Sequence, residues 1–300
     1  MTPLRLAELQ LLAAAALIFV PLERLLPLHR GNTTIRPGLR VDVLHVFVSG
    51  FLIRAGVMAT TIGLSWACAA IVPDGLRGAI QHQPSWMQFI QLFLLSDAGF
   101  YLAHRLVHAV PWLWRFHAVH HSSEQMDWLS TFRVHPVDQI LNTTIIVVPA
   151  VALNFSPAVL LTFGLLYRAH SMLLHSNVRV TFGPLGRFVA SPRYHHWHHA
   201  DEAHAYNRNF GGQLVIWDVL CRTRYEPETL PERYGVGGAM PAGYAQQLLA
   251  PLRRERQTRA VADLNDESPV HACEDVTNPN GASAHFRAAG GVEHLRPSRL

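Results

Sequence analysis

Residues 97–121 read DAGFYLAHRLVHAVPWLWRFHAVHH. The first half is apolar enough for a membrane span, yet Asp97, Tyr101, His104 and His108 recur along it at helical intervals. On a helix that spacing puts all four on one stripe. Ionisable groups inside a bilayer are expensive and mark function, so the stretch predicts a transmembrane helix, Phe89 to Val110, with one working face. Beyond it His117, His120 and His121 fall at i, i+3 and i+4, and the same H-x-x-H-H spacing returns at His195, His198 and His199. With 19 histidines in 300 residues, chance supplies only about 0.08 such triplets. Two carry information. If helical, each triplet turns three ring nitrogens to one side, able to reach one ion or bridge two.

Composition supports the membrane reading. Hydrophobic residues make up 49% of the chain and charged ones 15%, well below the roughly 25% charge of a soluble domain. Further apolar spans run from Leu6 to Leu28, read as a retained helix, from Val41 to Val72, and from Ile140 to His175. The last is long enough to cross and return, with Pro149 and Asn154-Phe155-Ser156-Pro157 as breakers. The loop before the second span carries Arg30, Arg36 and Arg40, whereas the loop after it has Arg77 against Asp74. That asymmetry places the first loop, and with it every dense histidine segment, on the cytoplasmic face.

The formal charge of +4 could indicate a nucleic-acid binder. However, the chain has no lysine and its arginines are scattered, so no phosphate-binding face is expected. Cys68, Cys221 and Cys273 are too far apart for a C-x-x-C pair, and neither G-x-G-x-x-G nor G-x-S-x-G occurs; disulfide framework, dinucleotide fold and simple hydrolase all lack support. The divisions expected are an N-terminal transmembrane region, 1–87, a catalytic region, 88–225, and a C-terminal segment, 226–300, polar and largely disordered from about 253.

His170 and His175, in HSMLLH at the end of the returning span, add two candidate ligands. His196 and His204 fall off the triplet face, His135 divides between supporting a ligand and capping a loop, and His29, His45 and His82 read as interfacial residues or satisfied hydrogen-bonders. Eight or more imidazoles exceed the needs of one four-coordinate zinc, and no Glu-x-x-His pairing marks a carboxylate-bridged site. The pattern points to a nitrogen-rich di-iron centre that activates O2 beside the bilayer, with Asp97 and Asp201 available to hold the second ring nitrogens of its ligands. A zinc or divalent-metal transporter or hydrolase is the alternative.

With these residues in view, the chain resembles the fatty acid hydroxylase and sterol desaturase superfamily of integral membrane di-iron oxygenases. The matching text, DAGFYLAHRLVHAVPWLWRFHAVHHSSEQM, RVHPVD, HSN, SPRYHHWHHADE and NRNFGGQLVIWD, runs in order from Asp97 to Asp218. The family's H-x-x-x-H falls on His104 and His108, its H-x-x-H-H boxes on His117, His120 and His121 and on His195, His198 and His199, and its isolated histidine before an asparagine on His175. Where many members continue WD-x-x-F-G-T, this chain has WDVLCRT, residues 217–223. The resemblance implies an all-α polytopic fold of about four transmembrane helices under a cytoplasmic helical cap. It also implies two irons, O2 as co-substrate, and hydroxylation or desaturation of a fatty acyl, sterol-like or ether lipid. His135-Pro136 lacks the Gly-Gly of a haem-binding donor segment, so the expected electron source is a separate protein.

Overall fold

The computed structural model describes residues 3–237 and 240–253; the expected disorder from about 253 lies outside them. Among the described residues the chain is helical, with isolated bridges in place of strands. Helix α1 is Pro3–Leu25. Helix α2, Leu39–Leu44, passes through a π-helical turn at His45–Ser49 into α3, Gly50–Ala69. Then come α4, Asp74–Gln81, α5, Ser85–Ala109, α6, Pro111–His121, α7, Pro136–Ala152, α8, Pro157–His175, α9, Pro192–His198, α10, Ile216–Leu220, and α11, Tyr244–Leu249.

Proline sets several of these starts. It opens α6, α7, α8 and α9, where its fixed φ suits the first turn and its missing N–H is not needed. Before three of them a side chain caps the freed backbone: His135 Nδ1 accepts from Val137 N at 3.1 Å, Ser156 Oγ from Val159 N at 3.4 Å and Ser191 Oγ from Tyr194 N at 3.2 Å. The first and last fix the register of α7 and of the final histidine box. Pro149 lies inside α7 without ending it; the break falls at Leu153–Ser156, where Asn154 takes φ 66°, a conformation asparagine tolerates.

Among the described residues, two stretches are both long and apolar enough to cross a membrane, Leu39–Cys68 and Pro157–His175. Their surfaces, and those of α1 and α5, leave large apolar side chains exposed, among them Leu17, Trp66, Leu102 and Leu161. Such continuous apolar faces suit lipid as solvent, and the protein is a membrane protein. α3 packs along α7, which packs on α5. A Cβ at Gly56 would collide with the Ile140 side chain, and Thr60 and Thr144 hydroxyls meet at 2.8 Å; small residues and hydroxyls at the seam let helix backbones approach in the absence of a hydrophobic drive between them.

A buried charge network anchors the polar end of this bundle. Arg36 forms a fork to Asp127 at 2.7 Å on each arm and reaches Asp42 at 2.5 Å. Asp42 also accepts from Arg133 Nε at 2.5 Å. Because every one of these buried charges has an opposite partner, the desolvation of each is offset. Removing one would leave another uncompensated.

Candidate metal centre

α5, α6, α8 and α9 bring nine histidines together. His104, His108, His117, His121 and His198 form one group, and His120, His175, His195 and His199 form another, the ligand nitrogens in each lying within 4.8 Å of one another. Both H-x-x-H-H boxes are divided between the groups. His120 stands apart from His117 and His121, and His198 apart from His195 and His199. The boxes interleave.

The hydrogen bonds behind the rings decide what the front nitrogens are. His104 Nδ1 lies 2.9 Å from the Phe210 carbonyl, His120 Nδ1 3.1 Å from that of Arg133, His175 Nδ1 2.8 Å from that of Ser171, and His198 Nδ1 2.8 Å from that of Arg208. Asp138 Oδ2 faces His117 Nδ1 at 3.1 Å. These partners only accept, so each Nδ1 carries the proton and, in a neutral ring, each Nε2 is a bare lone pair. The lone pairs so fixed face one another: His104 and His117 Nε2 are 3.1 Å apart, as are His120 and His175, and His195 Nε2, whose own Nδ1 has no hydrogen-bond partner, lies 3.1 Å from those of His175 and His199.

Burial favours the neutral form in several of these rings. His120, His121, His195 and His199 are held well below the usual imidazole value, first by burial and then by repulsion from neighbouring rings, and burial lowers His198 to about 3. Converging neutral lone pairs repel unless a cation sits between them. Nitrogens bound to one first-row ion at roughly 2.0–2.1 Å lie on the order of 3 Å from each other, which matches the observed spacing. The Nε2 atoms of His108, His121 and His198 are likewise buried without a hydrogen-bond partner. This donor set fits metal, in two groups.

Three of the expected site residues are placed elsewhere. His170 lies outside both groups, with Nε2 3.0 Å from the Ala190 carbonyl and Nδ1 2.6 Å from Gln213. The reason is pitch: five residues along α8 rotate it about 140° from His175. Asp97 accepts from Gln213 N, Leu214 N and Trp217 Nε1 at 2.8, 3.2 and 2.7 Å, and Asp201 accepts from the Tyr206 hydroxyl at 2.7 Å. Neither touches a histidine of the groups. The carboxylate that does is Asp138, in the first turn of α7, at the end of the RVHPVD stretch. His135 caps α7 and reaches the Leu248 carbonyl. His196 bonds to Tyr234 and to backbone carbonyls, and His204 pairs with Glu202.

Asp218 has no signal in histidine spacing but serves the cage indirectly. It accepts from Phe210 N at 2.9 Å, Gly211 N at 2.7 Å and Thr223 Oγ1 at 2.6 Å, and from the Tyr194 hydroxyl. This fixes the NFGG loop whose Phe210 carbonyl holds His104. Gly211 and Gly212 permit close approach there: a Cβ at Gly212 would sit 2.6 Å from Phe100.

A cavity of about 80 Å³ adjoins both groups. His104, His117, His120, His175 and His195 line it together with residues of α7 and α8, Phe100 of α5, Thr131 and Val134, and the Gly212–Gln213 backbone segment.

A membrane helical protein whose buried imidazoles converge on metal-sized spaces is the class that fold and site define. The fatty acid hydroxylase family profile matches residues 89–223. Ornithine lipid hydroxylase OlsE of Rhizobium tropici is 31% identical over 260 residues, 83% of this chain and 77% of that protein. The alkylglycerol monooxygenases of Homo sapiens and Danio rerio are 37% and 35% identical over 147 residues, 48% of this chain and 32% of theirs. No solved structure matches significantly. The chain belongs to the fatty acid hydroxylase family and is a lipid-oxidising enzyme.

Proposed function

We propose that the chain is a multi-pass membrane hydroxylase that holds two irons, uses O2 and inserts oxygen into a C–H bond of a lipid. The observation that carries this reading is the convergence of bare Nε2 lone pairs in two adjoining groups beside a cavity. His104, His108, His117, His121 and His198 would hold one ion, and His120, His175, His195 and His199 the other. Bound there, the metal pair would activate O2 and, with electrons from an external donor, supply the oxidising power toward the unactivated C–H bond.

The chain's own residues supply geometry and dryness. Asp138 and the carbonyls of Phe210, Arg133, Ser171 and Arg208 lock His117, His104, His120, His175 and His198 in the tautomer that presents Nε2, an arrangement that also raises ligand basicity. Burial of the cage excludes water from the reacting carbon. Hydroxylation is favoured over desaturation by the activities for which the relatives are named, a hydroxylase and monooxygenases. Membrane crossings by α1, the α2–α3 unit and α5, with the α7–α8 hairpin crossing and returning, would leave the cage on the cytoplasmic face. Residues 1–87 would then serve as anchor, 88–225 as catalytic region and 226–300 as an appended segment, with electrons supplied by a separate protein.

The test is to purify the full chain in detergent and measure metal identity, stoichiometry and oxygen uptake with reductant and lipid. Two irons per chain and a hydroxylated lipid product are expected. Zinc alone, with no oxygen consumption, would favour the divalent-metal hydrolase or transporter instead.

A further inference from the structure

His196 is fully buried, yet it belongs to neither histidine group. It follows His195 on α9, and its two ring nitrogens are engaged elsewhere. Nε2 faces the backbone carbonyls of His175 at 3.3 Å and Ser176 at 3.1 Å. Carbonyls only accept, so Nε2 carries the proton and, in the neutral ring that burial favours, Nδ1 is an acceptor. The donor to it is the Tyr234 hydroxyl, 2.9 Å away. With the phenolic proton so committed, His29 Nε2, 2.6 Å from the same oxygen, donates to Tyr234. The bonds thus run in one direction, from His29 through Tyr234 and His196 to the backbone where the chain leaves α8.

His29 is itself held by that stretch. Its backbone N–H donates to Asn177 Oδ1 at 2.7 Å, and its carbonyl accepts from Asn177 Nδ2 at 3.0 Å, beside the bridge of Pro27 with Val178. A second bridge ties Tyr234 to Ala200, immediately after the last histidine box. Asn177, His29, Tyr234 and His196 therefore close a circuit that begins and ends at residues 175–177. The rings pack accordingly: His29 and His196 are stacked with centroids 5.9 Å apart, and Tyr234 stands edge-on to both.

Of the cage histidines, the circuit reaches His175 through its carbonyl and His195 through the adjoining peptide. Their Nε2 atoms are 3.1 Å apart, and both belong with His120 and His199. None of its bonds ends on His104, His108, His117, His121 or His198.

We propose that Tyr234, with His29 behind it, is a positioning residue for one of the two metal sites: it locks His196 in the tautomer that donates to the His175 and Ser176 carbonyls, and so sets the spacing of His175 and His195. This rests on the reading of the two groups as metal sites, and is independent of which metal and which lipid they serve.

The test is chelator competition on the full chain in detergent. Tyr234→Phe keeps the ring and removes the hydroxyl. In a His121→Ala background, where the remaining ion lies in the His120 group, it should weaken that ion about tenfold, as loss of an orienting partner does. In a His120→Ala background, where the remaining ion lies in the other group, it should change nothing. His196→Gln keeps an N–H to offer the two carbonyls and should hold the His120-group ion more tightly than His196→Leu, a rescue that filling space alone does not produce. Tyr206→Phe, which removes a hydroxyl bonded to Asp201, is the control expected to alter neither affinity. Metal-free Tyr234→Phe should unfold at the wild-type Tm. If either background binds no ion, Tyr234→Phe in the wild-type chain decides: one ion weakened supports the assignment, and two weakened together overturn it. Equal weakening in both backgrounds, none in either, or no difference between His196→Gln and His196→Leu also overturns it. Titrations are run with Fe(II) and with Zn(II). A chain that takes zinc alone overturns the iron reading and still decides this one; a wild type that binds neither overturns both.

Discussion

His120 and His121 are adjacent in the chain yet face different groups: His120 Nε2 lies 3.1 Å from that of His175, while His121 gathers with His108 and His198. Consecutive helical residues point about 100° apart, so a box with neighbouring histidines at its end serves two centres at once.

Single alanine substitutions should separate those centres. His120→Ala is expected to lower metal content from about two ions per chain to about one, and His121→Ala to do the same by emptying the other group. Metal analysis of the purified variants reads this directly. If either variant keeps both ions, the division into groups is wrong.

Asp138→Asn keeps the shape of the side chain but removes the charge behind His117. Loss of a carboxylate that orients a ligand typically weakens metal binding or activity by roughly 10–100-fold. Asp201→Asn, which touches no histidine of the cage, should leave metal content at the wild-type level. Equal behaviour of the two in a chelator competition would remove Asp138 from the site.

Acid should destabilise the metal-free protein. His120, His121, His195 and His199 are depressed by burial and His198 lies at about 3, while the same groups in an unfolded chain titrate near 6.5. Below that value the unfolded state binds more protons, so stability is complete above about 6.5 and falls as the pH drops toward the folded values. Thermal unfolding of chelator-treated protein should shift downward between pH 7 and pH 5. A flat profile would mean that the rings are not buried neutral.

Helix packing gives a test independent of chemistry. At Gly56 any side chain meets Ile140, whereas Gly63, on the same helix, has nothing within 4 Å. Gly56→Leu should destabilise the fold by about 1–3 kcal/mol through overpacking, seen as a lower Tm. Gly63→Leu should be close to neutral, and a reversed order would place the α3–α7 seam elsewhere.

Much of this was legible in the sequence because it rests on period. The apolar runs matched helices, the break at Asn154 to Pro157 formed where proline and asparagine dictate, and nine of the ten proposed histidines converge. His170 was misread through proximity to His175, although five residues of helix already turn it away. The carboxylates failed for a different reason. Asp97 shares a stripe with His104 but sits where the Gln213 to Trp217 loop crosses α5, and Asp201 follows its box beyond the end of α9. Which acid meets which ring depends on how distant segments cross, and spacing along one element carries no trace of that. The division of each box between two groups was open for the same reason.

The interleaving has a consequence for the order in which the protein can be made. His198 belongs to one group and His195 and His199 to the other, so both sites wait on the same late segment of the chain. A nascent polypeptide that has inserted its helices but not yet delivered α9 has no complete site of either kind. If the two groups hold metal as proposed, both sites would reach their full ligand sets only after α9 joins the helices that carry His104 to His175.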